Sequence, residues 1–408
     1  MIAKQILSAF SLSLTLALSA HAGAAVDWNQ WRGPNRDGIS TESIENVKWP
    51  QEGPKVAWKA QIGAGYSTMA VANGKVYAMG NKEGQDTVYC FDALKGTEVW
   101  KQSYAAPKEA GGFEGPRSTP CVDGKVVYTL GLDGQLRAFD AEKGTPVWAK
   151  DLKKEIGAKP PQWGFSSSPL VEGKVVIVEA GGGASVAALD KTTGAVAWKG
   201  PAVGGTYASA VPFNFGGKRL VGTFNVEGFI ALDAATGAEA AKFPFKAQYD
   251  VNASDPVIID DKVFVSNGYN TGHCAMLQFG APPKQLWENK EFQTHFNCVV
   301  AYKGCLYGTS GHIKENGSLK CVDAATGAVK WTQPKMHCSI MLAGDKIIAL
   351  ERGGMLYIVE ADPSGYKEVA KGQVLGGQCW TMPVFSNGHI YARNNGAGDL
   401  VCLDVSGK

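Results

Sequence analysis

The chain has 408 residues, with 40 Lys and Arg against 38 Asp and Glu, for a formal net charge of +2. So even a balance gives no long-range field for holding DNA, RNA or an anionic bilayer, so nucleic acid is excluded from the expected partners. Hydrophobic residues make up 45% and glycines number 51, nearly twice the usual share of about 7%, which rules out wholesale disorder and points to many short strands and tight turns.

The first 22 residues read as a cleavable secretory signal: Lys4 is the basic start, Ile6 to Leu18 is apolar, and Ala20-His21-Ala22 is a small-x-small site before Gly23. That apolar stretch is shorter than the ~20 residues of a spanning helix, and none later is long enough. The first cysteine is Cys90, so no lipobox lies near the cleavage site. The expectation is a periplasmic or secreted monomer without membrane insertion. Residues 23–53 form a leader in which Trp28, Trp31, Arg32 and Arg36 are candidates for pinning it to the body that follows, 54–408.

That body is a repeat. CFDALKGTEVW (90–100), AFDAEKGTPVW (138–148), ALDKTTGAVAW (188–198), ALDAATGAEAA (231–241) and CVDAATGAVKW (321–331) share an apolar pair, an Asp, a Gly four residues on and, in most copies, a Trp eight residues on. Degenerate copies lie at 276–287 and 358–369, and a truncated one at 402–408. The anchors Asp92, Asp140, Asp190, Asp233, Gln278, Asp323, Glu360 and Asp404 recur about every 45 residues, the period of propeller blades. Upstream of most anchors comes a turn and a β-branched strand, such as NGKVYAMG (73–80), and before it a strand with small hydroxyl residues, such as SSSPLV (166–171). Each unit thus reads as four antiparallel strands, A to D.

The last unit stops where its D strand is due, whereas PKVAWKA (54–60) is a D strand lacking its own turn. Pairing the two gives an all-β, eight-bladed β-propeller of four-stranded antiparallel blades, closed by the segment around Trp58, with no exposed edge across the seam. Ala241 and Glu368 fall at the Trp position of blades 4 and 7, so looser packing is expected there. Nine cysteines without a C-x-x-C spacing argue against zinc-ribbon, thioredoxin-type and c-type haem sites. Most read as small buried hydrophobes, with Cys305 and Cys321 candidates for a disulfide between neighbouring strands.

The A-[LF]-D-x-x-T-G-x-x-x-W repeat resembles the tryptophan-docking repeat of pyrroloquinoline quinone (PQQ)-type propellers, over roughly 54–408. DWNQWRGPNRDG (27–38), QWGFSSSPL (162–170), YDVNAS (249–254), HFN (295–297) and QCWTMPV (378–384) look like exported bacterial PQQ-binding-like propellers of the quinoprotein alcohol dehydrogenase-like superfamily. The group it resembles includes many proteins of unknown activity and two named branches with one: PQQ- and calcium-dependent alcohol or sugar oxidoreductases, and a scaffold in outer-membrane protein assembly. The sequence departs from both. It lacks the vicinal cysteine pair and a placeable Glu, Asn and Asp metal set of the dehydrogenases, and the acylated N-terminal cysteine of the assembly lipoprotein.

Propellers offer a recurrent site at the channel mouth, lined by residues entering each strand A. Reading one per blade gives Tyr66, Arg117, Phe165, Tyr207, Asn252, His295, His337 and Gln378; Trp163, Asp250, Asn297, Trp380 and Asn394 fall nearby. From these the candidate ligand-binding set is Tyr66, Arg117, Trp163, Tyr207, Asp250, Asn252, His295, Asn297, His337 and Trp380. Arg117 and the histidines would meet a small polar or anionic ligand or an envelope protein, and the aromatics would supply flat faces. The alternative is that the polar residues are merely wet and the aromatics fill gaps between blades. No catalytic constellation and no metal spacing signature is visible.

Overall fold

A computed structural model describes residues 26–44, 47, 49–50, 53–270, 272–297, 299–312 and 316–407. The signal segment lies outside the described residues. Eight sheets, each of at least four strands, are arranged as blades. Blade 1, for example, runs Ala70–Ala72 (A), Lys75–Lys82 (B), Gln85–Asp92 (C) and Glu98–Ala105 (D). Blade 8 takes Val384–Ser386, His389–Arg393 and Asp399–Asp404 as strands A to C, and Lys55–Gln61 as strand D. Lys55 stands opposite Asp404 and Gln61 opposite Asp399, so the N-terminal strand closes the ring as the repeat count requires.

The recurring turn explains how blades adhere. In blade 1 Asp92 Oδ1 accepts from the N–H groups of Leu94 (3.0 Å) and Lys95 (2.8 Å), winding the chain into a tight turn that ends at Gly96. In every blade a β-bulge shifts the C–D register beside the anchor, re-aiming strand D. The re-aimed indole crosses to the next blade. Trp58, Trp100, Trp148, Trp198, Trp287 and Trp331 each donate from Nε1 to a turn carbonyl there: Ala93, Ala141, Lys191, Ala234, Ala324 and Asp362, at 2.8–3.2 Å. A strand-B tyrosine donates to three of the same oxygens, Tyr391 to Ala93, Tyr77 to Ala141 and Tyr128 to Lys191. The turn glycine is needed twice over. At Gly144 φ is +71° and a Cβ would lie 2.5 Å from the Trp100 ring.

The two positions without Trp are filled by other means. Ala241 faces the next blade, where Phe279 stands at the place held by Ala in four other turns, and Phe213 and Phe215 pack edge-on against it at 5.0 and 4.7 Å. Small and large have exchanged sides across that interface, so the expected looseness is not found. In blade 7 the C–D turn is two residues longer, which places Ala370 opposite Ile358 as the Trp equivalent; Glu368 pairs with Val359 instead. Ala370 joins the cluster that Val47 and Trp49 of the leader also enter. Cys305 stands opposite Asp323 and Cys321 opposite Tyr307, so the two are not directly paired, and both thiols are free.

The leader runs beneath the ring and touches every blade. Trp28 exchanges backbone hydrogen bonds with Val71 of blade 1, and in blade 2 Asn29 O accepts from the Val122 N–H while its side-chain Nδ2 donates to Val122 O. Arg36, 1% exposed, donates to the carbonyls of Ser168, Pro169 and Ala210 in blades 3 and 4. Arg32 reaches Val299 O (2.6 Å) in blade 6 and Asp255 (3.7 Å) in blade 5. Ile39–Ser40 adds a parallel strand to blade 7, and Val26 and Glu42 bond to the A–B turn of blade 8. The channel is plugged at that end.

Candidate functional site

Above the plug the channel opens into a cavity of about 450 Å³. Its floor is Trp31, whose Nε1 donates to Asp255 Oδ2 at 2.6 Å; Asp255 Oδ1 accepts from the Ser209 N–H, also at 2.6 Å. Both carboxylate oxygens are thus engaged, and Arg32 stands beside them.

The long D–A loops form one wall. That of blade 1 folds into a small ribbon, Glu109–Ala110 with Phe113–Glu114, and presents Phe113. Arg117 braces it, donating to the carbonyls of Gly115 (2.6 Å), Ala110 and Phe113 (2.9 Å each), while its guanidinium lies 5.7 Å from the Tyr66 ring. Burial lowers its pKa to about 10, and the nearby tyrosines and acids offset only part of that. In blade 2 a short helix, Leu152–Ile156, capped by Asp151 and ended by Gly157, leads to Trp163.

Ring contacts then follow one another around the mouth. Phe113 meets Tyr66 and Trp380 at 5.9 Å, and Trp380 meets Phe296 at 5.3 Å. Phe296 touches His295, His295 touches Tyr269, and Tyr269 reaches Trp163 at 5.5 Å, which meets Tyr207 at 5.6 Å. Tyr249, 70% exposed, stands over this collar with its ring 6.1 Å from Tyr269. It and Asp250 both have left-handed backbone, φ +56° and +60°. Such backbone in non-glycine residues is sparsely populated, and clusters at binding sites.

Of the ten residues proposed from sequence, Tyr66, Arg117, Trp163, Tyr207, His295 and Trp380 line the cavity. The other four do not. Asp250 is exposed on the rim. Asn252 is fully buried, bonded to Phe245 O and Asn267; Asn297 donates to Cys338 O across a blade interface. His337 is 3% exposed and packs over Gly317. All four lie in the segments that lead into strands A, before Val257, Val300 and Cys338, where no strand geometry fixes which way a side chain turns. His295 is 6% exposed, its Nδ1 lacks a hydrogen-bond partner, and burial, with His312 and His337 nearby, lowers its pKa to about 3, so its imidazole is neutral. Sequence reading missed Trp31, Phe113, Asp255, Tyr269, Phe296 and His312, which also line the cavity.

These donors do not suit PQQ and calcium. Calcium takes six to eight oxygen ligands, and the one carboxylate here is already held by Trp31 and Ser209. Among the described residues no three His, Cys, Asp or Glu side chains converge as a metal site. The carboxylates of the quinone would find three of the five N–H donors of Arg117 already committed to its own loop.

A model of a PQQ-repeat family, described as "Outer membrane protein assembly factor BamB", matches residues 84–333. BamB of Xanthomonas campestris pv. campestris is 25% identical over 221 residues, covering 53% of this chain and 48% of that protein, so the alignment spans about half of that relative. BamB of Shewanella oneidensis is 24% identical over 357 residues, covering 76% and 82%. Quinohemoprotein alcohol dehydrogenase ADH IIB of Pseudomonas putida is 32% identical over 126 residues, covering 28% and 17%. Among solved structures, BamB from Moraxella catarrhalis has a TM-score of 0.62 at 17% identity, covering 86% of this chain and 99% of that one. Quinohemoprotein alcohol dehydrogenase from Comamonas testosteroni gives 0.63 at 14%, covering 95% and 82%. At those identities the structural likeness speaks for the fold alone. The docking indoles, the eight-bladed closure and the family match lead to one statement of kinship: this chain belongs to the PQQ-repeat β-propeller family whose model carries the BamB description.

Proposed function

We propose that the protein is a non-catalytic scaffold of cell-envelope protein assembly, acting in the periplasm, and that it meets an envelope-protein partner at the open mouth of the channel. The family match over 84–333 carries this reading. Supporting it, the mouth offers aromatic surface, with Tyr249 projecting from strained backbone. Exposed aromatics are the side chains that dominate recognition interfaces.

The test is photo-crosslinking in cells, with benzoylphenylalanine replacing Tyr249 at the mouth or Leu94 on the outer rim, which is 64% exposed. Adducts to outer-membrane assembly components at position 249 and not at 94 support the reading. No adduct at 249, or equal adducts at both, overturns it. So does a quinone absorbance that stays with the purified protein through gel filtration after incubation with PQQ and calcium.

A further inference from the structure

The floor and walls of the cavity differ in chemistry, and the difference selects a ligand class. The walls are apolar planes: Trp163, Trp380, Tyr66, Tyr269 and Phe113. Deeper, on the chain entering strands A of blades 3 and 4, sit Ser166, Ser168 and Ser209. Ser168 Oγ accepts from the Thr119 N–H at 2.9 Å and Ser209 Oγ from the Ser168 N–H at 2.9 Å, which leaves both hydroxyl hydrogens to donate. Ser166 Oγ donates to Gly164 O at 3.3 Å and keeps its lone pairs. Donors and acceptors therefore stand side by side beneath the aromatic faces.

The charged groups are partly engaged within the wall. Three of the five N–H donors of Arg117 are held by backbone carbonyls, and each Asp255 oxygen accepts one hydrogen bond, from Trp31 or Ser209. An anion would find at most two N–H donors of Arg117 to spare, and a cation a carboxylate that already holds two hydrogen bonds, so either would exchange its hydration for few partners. An apolar side chain would stack on the rings but leave the hydroxyl hydrogens of Ser168 and Ser209 without an acceptor. A flat molecule with C–H faces and hydroxyl edges satisfies both layers, and the volume lies within the ~300–1,000 Å³ of small-molecule sites.

We propose that the mouth cavity binds an uncharged saccharide of one or two pyranose rings, stacked on Trp163 and Trp380 with its hydroxyls on the serine floor. The site is independent of the scaffold reading, and the two tests share no readout. Because Trp31, Trp163 and Trp380 all line the cavity, occupancy is read by intrinsic fluorescence of the purified protein and confirmed by calorimetry. The probes are maltose, cellobiose and N,N′-diacetylchitobiose at millimolar concentration, with glucuronate and glucosamine as charged counterparts.

At least one neutral sugar is expected to change the fluorescence saturably and to bind more tightly than either charged one. Trp380→Ala and Trp163→Ala should each weaken it about tenfold, the equivalent of ~1.4 kcal/mol, with the melting temperature confirming the fold. Ser166→Ala, which gives up only the hydrogen bond to Gly164 O within its own loop, should weaken it about threefold; Leu94→Ala on the far rim should not. Silence from all three neutral sugars, equal binding of the charged pair, or unchanged affinity in folded tryptophan and serine variants overturns the proposal.

Discussion

The outer belt of the ring and its inner channel are built on opposite rules. In the belt one device recurs blade after blade: a turn wound on an Asp, a glycine, and an indole bonded to the neighbour's carbonyl. In the channel the repeat lapses. The mouth positions carry Tyr, Arg, Phe, Asn, His and Gln in turn, several buried polar atoms among the described residues lack partners, and a leader outside the repeat forms the floor. Repetition suits adhesion, because each interface has the same task. The channel is where one blade can differ from the next without loosening the ring, and so where recognition can reside.

The sharpest way to break this contrast is to remove a belt indole. Trp58→Ala deletes the closing staple, and should destabilise the protein by about 4 kcal/mol, read as a large fall in denaturation midpoint. If the loss is below about 1 kcal/mol, the belt is not the source of cohesion. Arg36→Ala comes next. It leaves the carbonyls of Ser168, Pro169 and Ala210 without their donor and should cost about 3 kcal/mol, with early proteolytic cleavage in the leader. Ala241→Trp tests the exchanged interface: an added indole meets Phe279 and should destabilise by about 2 kcal/mol through overpacking, although it restores the repeat.

The last effect belongs to the channel and appears only as pH is changed. His295 has a folded pKa of about 3, depressed by burial, against ~6.5 unfolded. The unfolded chain therefore binds more protons between these values, and this contribution is complete above pH 6.5 and falls as pH drops, by at most ~1.4 kcal/mol per unit. Glu179 has the opposite sign: burial raises its pKa well above the usual value, offset in part by Thr223. It favours the folded state below the unfolded carboxyl range and loses that advantage as pH rises. Denaturation midpoints should show His295→Gln flattening the acid side and Glu179→Gln the alkaline side. Unchanged profiles in both would mean the channel is wetter than the structure implies.

The belt was legible in the sequence because its period fixes which residues do the same job. Even there the tyrosines that share the docking carbonyls were not foreseen, since strand B carries Tyr in only some blades. Blade 7 misled by two residues, because an insertion moved the Trp equivalent from Glu368 to Ala370. The channel was half legible. Positions counted off the repeat reached Tyr66, Tyr207 and His295, but the same count led to Asn252 and His337, whose side chains lie between blades. Tyr269 and His312 come from loops after strand B, whose lengths vary, and Trp31 from a segment with no repeat at all, so no register could have pointed to them.

The passage of residues 26–42 beneath all eight blades, followed at once by the strand that seals the seam, has a consequence for biogenesis. The first described residues find their partners only when distant ones have been made: Lys55 waits for Asp404 and Val26 for Asn387. Contacts so distant in sequence form slowly. A ribosome that stops early leaves a product whose beginning has nowhere to dock, so proteases can distinguish finished molecules from unfinished ones without any dedicated tag.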